Sequence, residues 1–184
     1  MSVVDPTSTR APHALTEELP SALVVLGSPV PINTSHRYGI QSLIALDQLG
    51  ENAAPYLVEY LFGDNISDRE GWIEEAWAAT RWFLNRGQAV RRQRKSRRVF
   101  CWEHDQDAII ADFSRYYGVD LVTCPAMHWW AFKMRFDNLP PESECKTRMF
   151  HRGPAPKGSS SEQKSEHARI SKIYRLPASR GDDS

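Results

Sequence analysis

Between Met127 and Leu139 the chain reads MHWWAFKMRFDNL, and no other stretch limits the fold so tightly. Successive helical residues turn by about 100°. Met127, Trp130, Ala131 and Met134 then share one side, and Trp129, Phe132 and Phe136 share a neighbouring one. A helix apolar over that much of its circumference is packed on several sides or buried in an oligomer. Burial of one indole stabilises by about 2–3 kcal/mol, a sizeable part of the net stability of a domain. The expected architecture is therefore mostly α: one helical bundle-like domain gathered around this helix.

The remaining elements follow from periodicity and punctuation. Ala22 to Leu26 is apolar, Gly27-Ser28 is a turn signal, and Val30 to Ile32 follows, which predicts a small β-hairpin over 22–32. Pro29 and Pro31 force its second strand to a sheet edge. Helices are expected at about 35–49, 53–62, 68–86, 104–117, 125–138 and 143–151. Gly50, Gly63 and Gly118 act as stops, Pro55 and Pro125 fall in first turns, and Ser67-Asp68-Arg69-Glu70 has the form of a capping box. Thr123 is the expected cap of the helix holding the two indoles. In the third helix Trp72, Ile73, Ala76, Trp77, Thr80, Phe83 and Leu84 form an apolar stripe. Residues 1–20, rich in Ser, Thr and Pro, read as a mobile N-terminal tail. Residues 153–184 read as a flexible C-terminal tail, with 170–176 apolar enough to dock back.

Charge is balanced, with 23 basic and 23 acidic side chains, so the average argues neither for nucleic acid nor for an acidic partner. Three cysteines are too few and too odd in number for a disulfide scaffold, which favours a reducing cytosol. The start of the chain does not read as a secretory signal, and no stretch reaches the roughly 18 apolar residues of a membrane span.

Four groups invite chemistry. His128 would need a defined partner and a pocket to act as a base; its simpler role is to satisfy a buried carbonyl or to pair with Asp120 or Asp105. Cys101, His104, Cys124 and His128 have tolerable zinc-ligand spacing, but both halves depart from a C-x2-C knuckle, and no metal is assigned. Glu103, Asp105, Asp107 and Asp112 crowd at a helix start, where the helix dipole and capping already place acids. The run Arg91, Arg92, Arg94, Lys95, Arg97, Arg98 has three readings: a solvated connector, a phosphate-binding patch, or a site for acidic stretches of a helical client. No aromatics interleave with these charges, so a stacking platform for single strands is not indicated. No phosphate loop, Ser-His-Asp pattern or nucleotide motif is present; neither enzyme activity nor a cofactor is expected.

The segments VFCWEHDQDAIIADFSRYYGVDL and MHWWAFKMRFDNLP, with Arg152 beyond them, resemble the bacteriophage gene-product-15 family. That family carries an aspartate-led helix, an F…YGIDL stop, an HWW-x-F helix and a downstream Tyr-Arg pair. The stretch LPSALVVLGSPVPINTSHRYGIQSLIAL is similar to its other block, a hairpin followed by PINTDFR. The resemblance spans about residues 19–152 and departs at His151-Arg152 and in the polar stretch after Gly153. It implies a tail assembly chaperone of siphophages, encoded between the major tail protein and the tape measure protein. Such a chaperone keeps the tape measure protein soluble in the host bacterial cytoplasm and is absent from the finished tail. No catalytic residue is attributed to the family. A second chaperone, the tail tube protein and a further copy of this chain are the other partners compatible with that role.

On this reading, Trp72, Trp77, Trp129, Phe132 and Phe136, with Arg91, Arg92, Arg94, Arg97 and Arg98, are candidate partner contacts wherever they stay exposed. Phe113, Tyr117, Gly118, His128 and Trp130 are assigned to the structural core. The alternative function is nucleic-acid binding through 91–98.

Overall fold

The computed structural model describes residues 1–7, 10–65, 71–88 and 97–177. The expected capping box Ser67–Glu70 and the basic residues Arg91, Arg92, Arg94 and Lys95 lie outside them. The mostly α reading with a small N-terminal sheet holds. Three strands, β1 (Val3–Val4), β2 (Ala22–Val25) and β3 (Ser28–Pro31), precede seven helices among the described residues. These are α1 (His36–Leu49), α2 (Ala54–Phe62), α3 (Trp72–Leu84), α4 (Gln106–Tyr117), α5 (Trp129–Asp137), α6 (Glu144–Arg152) and α7 (Ser161–Ile173). The chain divides into two compact units, Met1–Arg92 with Ala126–Met134, and Gln93–Pro125 with Arg135–Ser184.

In the first unit, β2 is central, parallel to β1 and antiparallel to β3. The hairpin turn is Leu26-Gly27, with φ of 49° and 71°, the double positive φ that matches the twist of a two-residue loop. Leucine rarely adopts this conformation; its N–H donates to the Glu75 carboxylate of α3 at 2.7 Å, which fixes the turn. The Ile32 N–H donates to the Ser21 carbonyl, so by antiparallel alternation Pro29 and Pro31 turn their nitrogens away from β2. Behind the sheet, α1, α2 and α3 bury Tyr38, Leu57, Val58, Leu61, Phe62 and Phe83. The Tyr38 hydroxyl donates to the Leu57 carbonyl, and burial pushes its pKa up.

The expected N-terminal tail is corrected at Val3–Val4. This β-branched pair occupies the otherwise open edge of β2, and the Ser2 carbonyl accepts from the Ser21 and Ala22 N–H groups.

In the second unit, α4 ends at Gly118, whose φ of 63° suits the left-handed cap. The Gly118 N–H donates to the Ser114 carbonyl and the Val119 N–H to the Phe113 carbonyl, which satisfies the last turn. Helix α4 packs on α6, and α6 on α7.

The flexible C-terminal tail is corrected over Ser161–Ile173, which is helix α7, while the Tyr174 carbonyl, within the expected docking segment, accepts from Arg152. Ser160 and Gln163 form a full capping box, each side chain accepting from the other's backbone N–H, and His167 is buried against α6. The start of α5 is also corrected, from 125 to Trp129. Ser35 and His128 form an antiparallel bridge, with the His36 N–H donating to Met127 O and the Trp129 N–H to Thr34 O. That pairing holds the backbone before α5 extended.

Candidate partner-binding surfaces

The indoles do not form an outward surface. Trp129 and Phe132 are fully inaccessible, and Trp130 and Phe136 are buried. The Trp129 Nε1–H donates to the Leu84 carbonyl at 3.0 Å, and the Trp130 Nε1–H to the Phe83 carbonyl at 2.8 Å. Both acceptors sit at the C-terminal end of α3, where carbonyls lack partners within the helix. The paired tryptophans thus cap α3 from the side while filling the core. Room for Trp129 comes from Gly39 in the middle of α1: a Cβ there would stand 2.1 Å from the nearest indole atom, well inside contact distance. Trp82, not singled out from the sequence, packs on Trp130 with ring centroids 5.4 Å apart.

His128 is part of the same construction. Its Nδ1 accepts from the Trp130 N–H at 3.1 Å, so the ring caps the first turn of α5. Its Nε2 is then the protonated nitrogen, donating to the Pro20 carbonyl at 3.0 Å. His36 repeats the motif, its Nδ1 accepting from the Met127 N–H. Burial holds both imidazoles below their ordinary pKa of 6.5. Both ring nitrogens of His128 are thus committed, and among the described residues no three potential ligands converge, the alternative set Cys101, His104, Cys124 and His128 included. Of the two expected roles of His128, satisfying a carbonyl is the one observed, at Pro20, in place of a pairing with Asp120 or Asp105. Asp120 instead turns its own loop, accepting from the Val122 N–H and the Thr123 hydroxyl, so Thr123 is not a helix cap.

The acidic residues at the start of α4 are used inside the second unit. Asp105, inaccessible to solvent, receives both terminal nitrogens of Arg152 at 2.6 and 2.8 Å and the Cys101 N–H at 3.0 Å. Burial pushes the Asp105 pKa up, but these donors prevail and hold it below the carboxylate range. Arg152 also donates to the Val99 and Tyr174 carbonyls. Arg148 joins Asp107 and Glu144. Asp112 accepts from the Glu144 and Cys145 N–H groups at 2.9 and 2.8 Å, anchoring the start of α6. Burial, with Asp112 beside it, pushes the Cys145 thiol up. Phe113 is fully buried, and the Tyr117 hydroxyl donates to the Arg135 carbonyl. Phe136 lies in a nest with Phe100 and Trp102, at ring separations of 5.2 and 4.8 Å.

Of the expected partner contacts, therefore, Trp129, Phe132 and Phe136 are corrected to core, because their rings are enclosed by the chain itself. Trp72 and Trp77 stay half-buried on α3, with the Arg81 guanidinium 5.5 Å from the Trp77 ring. Arg97 is exposed, while Arg98 is half-buried and donates to the Cys101 sulfur. The larger exposed apolar side chains on helices lie elsewhere: Tyr56 and Tyr60 on α2, Leu49 at the end of α1, Ile73 on α3, Phe150 on α6 and Ile173 at the end of α7. Ile73 belongs to the apolar stripe of α3 by sequence but is exposed.

A family model described as Bacteriophage Gp15 protein matches residues 73–176, more than half of the chain. This chain belongs to the bacteriophage Gp15 protein family. The Gp15 match takes in both indoles, the Gly118 stop and the Asp105–Arg152 pair, and it continues through α7. No curated protein and no solved structure matches this Gp15 chain. No described helix is long and apolar enough to cross a membrane.

Proposed function

We propose that this Gp15 family member is a non-catalytic tail assembly chaperone, which binds the tape measure protein in the host cytoplasm and keeps it soluble until the tail tube forms around it. The observation that carries the reading is family membership over residues 73–176, including the HWW turn and the YG stop. The geometry agrees in one respect. The side chains that most invited chemistry, His128, Asp105 and Asp112, are each engaged in holding backbone or a partner side chain. A tape measure protein is a long amphipathic helical chain whose apolar stripes aggregate when unassembled. Helical surfaces with exposed tyrosine and aliphatic side chains would cover such stripes reversibly and without a nucleotide.

Co-expression tests this. The tape measure protein should move from the pellet to the soluble fraction and co-purify with this chain. A client that stays insoluble, or is soluble but does not co-purify, overturns the reading.

A further inference from the structure

Among the described residues, the outward face of α2 is where two large exposed aromatic side chains stand together. Its inward residues Leu57, Val58, Leu61 and Phe62 are about 1% exposed, whereas Tyr56 and Tyr60 are 58% and 64% exposed. Tyr56 and Tyr60 are one helical turn apart, so the two phenol rings share a face with Pro55 and Glu59. Leu49, also exposed, ends α1 at the turn that leads into this stripe. Tyrosine presents a large rigid apolar body and a polar tip at little conformational cost, which is why it anchors interfaces.

The charge along this stretch of the chain is one-sided. From Tyr38 to Asn65 the acids are Asp47, Glu51, Glu59 and Asp64, with no lysine, arginine or histidine, in a chain whose net charge is zero. Glu51, Glu59 and Asp64 are exposed, and no cation pairs with them among the described residues. Such a face repels nucleic acid and anionic lipid. It is complementary to a helix with an apolar stripe flanked by arginine or lysine, whose guanidinium groups also stack on tyrosine. The chain's own basic run, VRRQRKSRR, has the charge but no apolar stripe to cover two phenol rings, so a second copy fits less well.

We propose that the α2 face carrying Tyr56, Glu59 and Tyr60, bordered by Glu51 and Asp64, docks a basic amphipathic helical segment of the client protein. This rests on the chaperone reading and specifies which surface does the masking and which part of the client it takes.

The test uses the full chain and two labelled peptides of about 18 residues, long enough to hold a helix on binding. Both carry the same leucine stripe; one has arginine and the other glutamate on its polar face. The arginine peptide should bind at least about tenfold tighter by fluorescence anisotropy, and should weaken as salt rises. Tyr56→Ser with Tyr60→Ser should weaken it by a similar factor, and Glu59→Lys with Asp64→Lys should reverse the preference between peptides. All four positions are exposed, so an unchanged helical circular dichroism spectrum and melting temperature are expected; a tyrosine variant that fails this check is replaced by Tyr56→Gln with Tyr60→Gln, and a failed charge reversal by Glu59→Gln with Asp64→Asn, which should abolish the preference. Equal binding of both peptides, or unchanged binding by the variants, overturns the proposal. So does a concentration-dependent dimer that the charge reversal abolishes, since the occupant would then be a second copy. The two readings separate in co-expression with the tape measure protein. Co-purification that survives the tyrosine substitutions refutes the α2 surface and leaves the chaperone role standing. Binding of the arginine peptide without co-purification of the client refutes the role and leaves the surface.

Discussion

The two units solve the same problem with different chemistry. Each must bring helix ends and loop backbone into a dry interior without leaving polar groups unpaired. The first unit uses neutral rings: the Trp129 and Trp130 indoles serve the end of α3, and the His128 and His36 imidazoles serve the approach to α5. The second uses ions: Asp112 anchors α6, and the Asp105–Arg152 pair gathers the Cys101 N–H and the Val99 and Tyr174 carbonyls. Neutral aromatics contribute area as well as a hydrogen bond. An enclosed ion pair contributes little net stability but makes loss of either member severe.

That asymmetry sets the size of the expected effects. Arg152→Ala should be the largest, at about 3 kcal/mol, because it leaves the enclosed Asp105 with only the longer Arg148 contact at 3.4 Å and the Cys101 N–H. Urea unfolding followed by helical circular dichroism would measure it. Adding Asp105→Leu should restore part of the loss, and no recovery would mean that the backbone contacts of Arg152 matter more than its charge. Gly39→Ala comes next in the other unit. Alanine gains about 1 kcal/mol of helix propensity over glycine. Displacing the Trp129 ring should outweigh that and give a net loss of about 1–3 kcal/mol. Tryptophan fluorescence in a Trp102→Phe background reads this directly, since the remaining five tryptophans all lie in the first unit.

Acid should separate the units. His36 and His128 have lowered pKa values when folded, so below pH 6.5 the unfolded chain binds protons that the folded chain does not. Stability of the first unit should therefore fall as pH drops below 6.5, by at most about 1.4 kcal/mol per pH unit per histidine, and level off below their folded values. The contribution of Asp105, whose folded pKa is lowered, is present above the ordinary 3.8 and lost only as pH falls further through the folded value. Indole fluorescence should respond to acid first, with a His128→Asn variant flattening that response. Smallest is Ser160→Ala, which removes one half of the α7 capping box and should cost about 1 kcal/mol, seen as faster amide exchange across 161–173.

Most helix positions were legible because local signals agree with the fold. Gly50, Gly63 and Gly118 stop helices where the periodicity ends, and Pro55 falls in the first turn of α2. The misses involve partners distant in sequence. The start of α5 depends on Ser35, over ninety residues earlier, and no local pattern contains that bridge. The role of the indoles was half visible: their bulk announced a central helix, but nothing local says that their N–H groups face the Phe83 and Leu84 carbonyls. Gly39 was an available clue, a glycine inside a helix that otherwise has no reason to keep one. Helix α7 had a local signal in Ser160-x-x-Gln163, obscured by the serine-rich surroundings.

The outer rim of β3 bears on crowding. At two of its four positions a pyrrolidine ring stands where a neighbouring molecule's strand would look for an amide hydrogen, so the sheet cannot be extended on that flank. Copies of this chain produced in quantity are thereby kept from zipping into fibres through their hairpins, whatever else they hold.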